Sequence, residues 1–314
     1  RGLINEAPTY AVVPNALGRL QQKGDIARPG ETAGWLGGAF APVVTSIEKK
    51  SETDNPFWRE CSDAELQFSI RGLKPQEGMT VNRFATRAQL LDQINKQQQQ
   101  LRQLDRSRLF DRYRSRALEL VLSDKARLAF DVTQESDAMR DQYGRHLYGQ
   151  SALVARRLIE AGTRFVTVQY DCVDGYSWDS HRNSDDVKEH LLPTFDQAFA
   201  TLVNDLDERG LLDETLIVAM GEMGRTPKAN STWGRNHWST LFPAVLAGGG
   251  VKRGFVFGET DKHAGYATAH PVSPEDMAAT IFTALGINPS WQILDSIGRP
   301  HQLTPGKPVQ ELFI

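Results

Sequence analysis

The apolar positions of the chain recur at two different periods, and these separate a helical middle from an alternating C-terminal half. From Asn82 to about Gly162 the apolar residues follow helical spacing, with the glutamine run at 97–100 as a solvated face. The stretch "YGQSALVARRLIEAG" predicts a helix that ends at Gly162, which stands where a left-handed capping glycine is expected.

After Gly162, strand-like runs alternate with helical ones. The strands are predicted at residues 164–170, 215–220 and 243–247. A helix is predicted over 185–210, where Pro193 either kinks it or marks a second start. Ser273 and Asp276 form a capping box that opens a further helix. Long connections between strands favour crossovers and parallel pairing, so the fold is predicted to be α/β, a mainly parallel sheet flanked by helices.

The same pattern suggests one domain over residues 1–314, in three parts. Residues 1–82 are rich in Gly and Pro and are predicted to be loop-rich. Residues 83–162 form the helical segment, and residues 163–314 form the α/β core.

Charge and composition then exclude several classes of partner. The net charge of −3 gives no reason to expect nucleic acid. No apolar run approaches the roughly 18 residues that a membrane span needs. The two cysteines, Cys61 and Cys172, do not make a disulfide framework and leave the redox compartment open.

Acids and histidines occur in two loops, each of which follows a predicted strand. "WDSH" at 178–181 lies in a loop with Asp171, Asp174 and Asp185, and "GEMGRTPKANSTWGRNHW" occupies 221–238. If strands 164–170 and 215–220 are parallel neighbours, both loops meet at one edge of the sheet. Carboxylate and imidazole ligands suit one or two divalent ions such as zinc. The predicted metal ligands are Asp179, His181, Glu222 and His237.

Each of these residues also has an ordinary structural interpretation. Asp179 and His181 could be a generic loop pair, and His237 could be a packed, hydrogen-bonded histidine. Glu222 could form an ion pair with Arg225. Arg225 and Arg235 are candidate catalytic residues that would hold an anionic group, or they form surface ion pairs.

Several motifs in order carry a family resemblance over roughly residues 120–290. They include "AFDVTQESDAMRDQYG", "GTRFVTVQ", "WDSH", "LDERGLLDETLIVAMGEMGRTPK", "GRNHW", "AGGGVKRGFVFGETDKHAGY" and "PVSPEDMAATIFTALGI". The chain resembles the bacterial family of domain of unknown function 1501, which is related to the alkaline phosphatase and sulfatase superfamily.

The resemblance implies roles for particular residues. Asp179, His181 and His237 match the superfamily's first metal set. Glu222 stands at the Asp of a second set, and Met223 replaces its His, so that ligand is lost. Asn236 stands where the family often has Asp. His263 and His270 are second choices as ligands.

The resemblance also implies that the chain corresponds to the C-terminal portion of a member, an alkaline-phosphatase-like core lacking its N-terminal part. On that basis the site is expected to be incomplete in residues 1–314, with little or no phosphatase or sulfatase activity. Export to the periplasm or cell surface is expected by the same resemblance.

The function expected from these residues is a metal-dependent hydrolase that acts on a small anionic substrate, a phosphate or sulfate ester. The alternative is a non-catalytic binding or accessory protein with the same fold and a degraded metal site; a structural role in a cell-surface assembly is a third. The sequence does not fix the oligomeric state.

Overall fold

A computed structural model describes the chain in several stretches, which form two compact units. The described residues are 7–14, 30–47, 49–51, 54–70, 83, 86–87, 89–90, 123–170, 177–295 and 297–314. The first unit comprises the described residues up to 170 together with Thr194–Ala198. The second comprises the described residues among 177–193 together with Phe199–Ile314.

The first unit contains a mixed four-stranded sheet. Its strands are β1 (Tyr10–Val13), β2 (Val43–Ser46), β3 (Ser69–Ile70) and β4 (Phe165–Val168). The order is β3–β2–β1–β4, with β1 parallel to both β2 and β4, and β2 antiparallel to β3. Ala11, Val12 and Val13 are fully buried, so β1 forms the centre of this sheet.

Within the described residues 123–164, three helices of the first unit precede β4. They are α1 (Asp124–Ala129), α2 (Asp137–Tyr143) and α3 (Leu147–Glu160). The predicted helix ending at Gly162 is confirmed by α3, and Gly162 has the positive φ of 103° that favours glycine at a helix end. Residues 83, 86, 87, 89 and 90 are helical. The remaining residues of the predicted helical segment before residue 123, including the glutamine run, lie outside the described residues.

In the part of the second unit that the structure describes, there are two α-helices and eight short strands. The helices are α4 (Leu192–Glu208), whose residues Thr194–Ala198 group with the first unit, and α5 (Pro274–Ala284). The strands are β5 (Ile217–Met220), β6 (Gly224–Arg225), β7 (His237–Trp238), β8 (Ala244–Ala247), β9 (Glu259–Thr260), β10 (Ala267–Ala269), β11 (Gln292–Leu294) and β12 (Pro300–Gln302). They pair antiparallel as β5–β8, β6–β7, β9–β10 and β11–β12.

The helix signals of this half are confirmed. The capping box forms as predicted, with the Ser273 hydroxyl and the Asp276 carboxylate each bonded to the other's backbone N–H. A wide π-helical turn at Val187–Leu191 precedes α4, so Pro193 marks the start of regular α-helix. Proline is tolerated within the first turn of an α-helix.

The chain is α/β, but the predicted parallel pairing is wrong for β5 and β8. These strands fall where strands were predicted, yet they pair antiparallel, with Ile217 opposite Ala247 and Met220 opposite Ala244. Residues 221–243, all of them described, contain the β6–β7 hairpin and no helix. A parallel return needs a crossover connection, usually a helix, whereas a chain that folds back directly pairs antiparallel. Within the described residues, β4 pairs only with β1.

Among the described residues, none of the helices combines the length and the apolar character required to cross a membrane.

The buried histidine at the start of α3 makes the stability of the first unit depend on pH. His146 Nδ1 accepts a hydrogen bond from the Gly149 N–H at 3.0 Å, which caps the helix. Burial lowers the pKa of His146 to about 4, because a charged imidazolium is poorly solvated inside the protein.

We expect this histidine to make the first unit acid-sensitive. Between a pH of about 6.5, where unfolded histidine titrates, and about 4, the unfolded chain binds a proton that the folded chain does not. The free energy of unfolding should therefore fall by up to about 3 kcal/mol as the pH drops through this window. Urea unfolding of wild type and of His146→Asn, which retains a helix-capping side chain, at pH 7, 5.5 and 4.5 measures the effect. Equal pH dependence in the two proteins would contradict the prediction.

Candidate metal centre

Two loops of the second unit build the candidate site: residues 177–186, which we call the first loop, and residues 221–240, the second loop. Backbone hydrogen bonds join them. The Asn183 N–H donates to the Thr232 carbonyl at 3.1 Å, and the Ser184 N–H donates to the Trp233 carbonyl at 2.7 Å. In the other direction, the Arg235 N–H donates to the Ser180 carbonyl at 2.8 Å. The loops therefore hold each other in register although neither contains a long regular element.

The amide of Asn230 organises the turn of the second loop that faces the first. Its Oδ1 accepts hydrogen bonds from the backbone N–H groups of Thr232 at 3.0 Å and Gly234 at 2.9 Å. Its Nδ2 donates to the carbonyl of His181 at 2.9 Å. One side chain thus fixes the turn and joins it to a predicted ligand residue.

Gly234 lies where the two loops touch most closely. A Cβ built on Gly234 would stand 2.0 Å from the carbonyl oxygen of His181 and 2.4 Å from the backbone N of Arg182. Both neighbours are backbone atoms, so no side-chain rotation could relieve the clash. Only glycine permits this approach.

The short β6–β7 hairpin brings Arg225 and His237 together. The two residues are direct partners in the antiparallel pair. Residues opposite each other in such a pair present their side chains on the same face. Both side chains therefore reach Asp179, which the first loop supplies.

Three side-chain atoms converge within hydrogen-bonding distance of one another. His181 Nε2, His237 Nε2 and Asp179 Oδ1 are separated by 3.0 Å in each of the three pairs. The Arg225 guanidinium also donates to Asp179 Oδ1. The side chains of Asp179, His181 and His237 are 57%, 45% and 50% exposed, so the cluster opens to solvent.

The charge state of Asp179 follows from its neighbours. Partial burial acts to raise the pKa of this carboxyl, but the hydrogen bond and charge of Arg225, with the hydrogen bond from His237, outweigh it. The pKa of Asp179 therefore lies below its ordinary value. The group is an ionised carboxylate at neutral pH.

The donor set fits a cation, because no arrangement of protons satisfies all three contacts. If both Nε2 atoms carry hydrogen, two donors face each other. If one Nε2 atom lacks its hydrogen, the lone pair of that nitrogen faces either the Asp179 carboxylate oxygen or the other Nε2, with no proton between the two atoms. A positive ion bonded to all three atoms removes the conflict. In a tetrahedral zinc site with bonds of about 2.0–2.1 Å, ligand atoms lie about 3.3 Å apart, close to the 3.0 Å found here.

The structure thus brings together three of the four predicted ligands. Asp179, His181 and His237 form the one group among the described residues whose ligand atoms could share an ion. Glu222 is exposed and lies outside this group. His263 and His270 are also outside it.

The two predicted arginines occupy different positions. Arg225 binds Asp179 and lies at the cluster. Arg235 Nη1 donates to the backbone carbonyls of Thr226 at 2.7 Å and Pro227 at 2.5 Å, so it braces the second loop. The ion pair considered as an alternative for Glu222 is not formed among the described residues; Arg225 pairs with Asp179 instead.

Three further acids near "WDSH" in the sequence are not candidate ligands in the described structure. Asp185 accepts a hydrogen bond from the indole N–H of Trp233 at 3.0 Å and stabilises the contact between the loops. Asp171 and Asp174 lie outside the described residues.

Asn230, Gly234 and Asn236 shape the site without being candidate ligands, and of the three only Asn236 stood out in the sequence, as the residue at a position where the family often has Asp. For Asn230 and Gly234 the only sequence signal is the turn-forming composition of "ANSTWGRN".

The close contact between Gly234 and the backbone of His181 leaves no room for a larger side chain. In Gly234→Ala the loops must separate, so amide hydrogen exchange at Asn183, Ser184 and Arg235 should accelerate. Gly221→Ala is the matched control, since its added Cβ would meet only the Met223 carbonyl at an ordinary 3.6 Å. Exchange read by mass spectrometry on peptides covering the two loops measures the effect. Unchanged protection in Gly234→Ala would show that the two loops stay joined without this close contact.

Comparison with known proteins adds the family. Residues 2–313 match the family described as Protein of unknown function (DUF1501). No curated protein and no solved structure matches the chain. Because the match spans nearly the whole chain and agrees with the motifs read from the sequence, the chain belongs to the DUF1501 family.

Proposed function

We propose that the chain is a metal-dependent hydrolase of phosphate or sulfate esters, with a divalent ion, zinc in the first place, held by Asp179, His181 and His237. The observation that carries the proposal is the triangle of two imidazole nitrogens and one ionised carboxylate oxygen, each 3.0 Å from the others. Three protein ligands with an open side are typical of catalytic rather than structural zinc sites.

When bound, such an ion supplies Lewis acidity toward an ester oxygen or a water molecule. The protein's own residues supply the geometry and charge around it. Asp179 is ionised, and the half-exposed side chains leave one face of the cluster accessible to solvent and to a substrate.

Arg225 supports an anionic substrate. Its guanidinium lies against Asp179 and is the cation nearest the ligand atoms among the contacts described. A guanidinium presents several donors in a planar fork that matches phosphate and sulfate oxygens. Because an ion on Asp179 would draw charge from that carboxylate, Arg225 could share its donors with an ester oxygen. Arg235 serves this role less well, since its Nη1 is bonded to two carbonyls.

We further propose that the fold is related to the alkaline phosphatase and sulfatase superfamily. The support is the chain order of the cluster: an Asp-x-His pair in a loop after β4 and a later His on β7. At the superfamily's second pair this chain has Glu222 and Met223.

That second pair favours an alternative function, a non-catalytic binding protein that retains one metal site. Glu222 lies outside the cluster, and Met223 offers no nitrogen or oxygen ligand. A single ion with Arg225 beside it would be enough to bind an anion without hydrolysing an ester.

Metal binding tests both versions of the proposal. Zinc titration by calorimetry should show one ion per chain, and His181→Ala or His237→Ala should each weaken affinity by about tenfold or more. His263→Ala is the matched control, because this exposed histidine is not part of the cluster. Circular dichroism checks that the variants fold. Zinc binding that is absent, or equally strong in all three variants, would refute the site.

Turnover assays then distinguish a hydrolase from a non-catalytic binding protein. Zinc-loaded protein is assayed with 4-nitrophenyl phosphate and 4-nitrophenyl sulfate, with and without chelator. Hydrolysis lost on chelation and in His237→Ala supports the enzyme and names the ester. Zinc and sulfate binding without hydrolysis supports the binding protein.

A further inference from the structure

The two nitrogens of His181 face different surroundings. Nε2 faces Asp179 and His237 at 3.0 Å, whereas Nδ1 lies 3.4 Å from Asn236 Oδ1. The residue next to the late histidine in the chain therefore reaches back to the histidine of the first loop.

Asn236 is fixed independently of His181. Its carbonyl accepts a hydrogen bond from the Thr226 N–H at 2.9 Å, and its N–H donates to Thr226 Oγ1 at 3.3 Å. The backbone of the hairpin thus sets the position from which the amide approaches the imidazole.

The chemistry of this contact favours one position for the proton of His181. An amide oxygen can only accept a hydrogen bond, so the proton of a neutral imidazole belongs on Nδ1 when it meets Asn236 Oδ1. Nε2 is then left with its lone pair, directed at the two other ligand atoms. An imidazole of this tautomer is the form that binds a metal through Nε2.

We propose that Asn236 is a positioning residue that fixes the metal-binding tautomer of His181 and, being uncharged, leaves the occupied site positive enough to bind an oxyanion. This inference rests on the proposed metal site and adds to it a residue and a charge requirement. The two charges of a divalent ion and the one of Arg225 exceed the single negative charge of Asp179. A carboxylate at position 236 would accept the same hydrogen bond but would cancel one of the remaining positive charges.

The two roles respond differently to two substitutions. Asn236→Ala removes the acceptor, and zinc affinity should fall by about tenfold, the lower end of the effect of losing an outer hydrogen-bond partner. Asn236→Asp has the same shape and keeps an acceptor, now charged, so zinc should bind at least as tightly as in wild type. Sulfate, used as the oxyanion probe on zinc-loaded protein, should bind Asn236→Asp several-fold more weakly.

Calorimetric titrations of zinc, and then of sulfate, at one fixed ionic strength measure both affinities. Asn288→Asp is the matched control, because it adds the same charge at an exposed turn where the Asn288 side chain bonds Ser290. It should leave zinc and sulfate affinity unchanged.

The outcomes are distinct. Weaker zinc binding in Asn236→Ala, rescue in Asn236→Asp and weaker sulfate binding in the latter together support the inference. Equal loss of zinc affinity in both variants would show that Asn236 only maintains the loop, and unchanged sulfate affinity in Asn236→Asp would overturn the charge requirement. A wild-type chain that binds no zinc contradicts the proposed metal site itself, whereas zinc binding insensitive to both variants contradicts only the role of Asn236.

Discussion

The close packing of Gly234 on the backbone of His181 is the constraint on which the site depends. It allows the second loop to approach until its N–H and carbonyl groups bond those of the first. Without that approach, the candidate ligands on the two loops could not reach a common centre. The Asn230 amide reinforces the same junction from the other side of the turn, through the His181 carbonyl. Two loops with little regular structure of their own are thereby made into one rigid support.

The antiparallel hairpin explains why the candidate ligands converge although the predicted sheet geometry does not hold. From the sequence, the two loops were expected to meet because strands 164–170 and 215–220 would be parallel neighbours whose ends share one edge of a sheet. Instead, β5 continues into a loop that folds back on itself, and the pairing of Arg225 with His237 places a cation and an imidazole side by side on one face. The convergence is local to this loop and its contact with the first. Glu222, which precedes the hairpin and is exposed, stays outside the cluster.

The features that sequence could predict are those with local causes. The α5 capping box and the end of α3 at Gly162 depend on neighbouring residues, and both form as expected. Strand pairing depends on segments that are distant in the sequence, so the antiparallel direction of β8 relative to β5 could not be predicted from local pattern. The central strand β1 was missed within the segment predicted to be loop-rich, because four apolar residues between two prolines carry no measurable period. The choice of Asp179, His181 and His237 came from residue type and family resemblance, and the resemblance also drew attention to Asn236. The contact that Asn236 makes with His181, and the role of Asn230, are seen only in three dimensions.

Stability alone does not account for the cluster. Exposed ion pairs such as Arg225 with Asp179 typically contribute about 0–1 kcal/mol. The loops that support it carry Asn183 and Trp233 at positive φ values of 50° and 57°, and a bulky residue in that conformation costs about 1–3 kcal/mol. The Trp233 strain is held by backbone hydrogen bonds and by Asp185, so folding free energy is spent to fix loop geometry around side chains that remain half exposed. An arrangement that costs stability and holds two imidazoles and a carboxylate together at the surface supports the proposed metal site over a purely structural role.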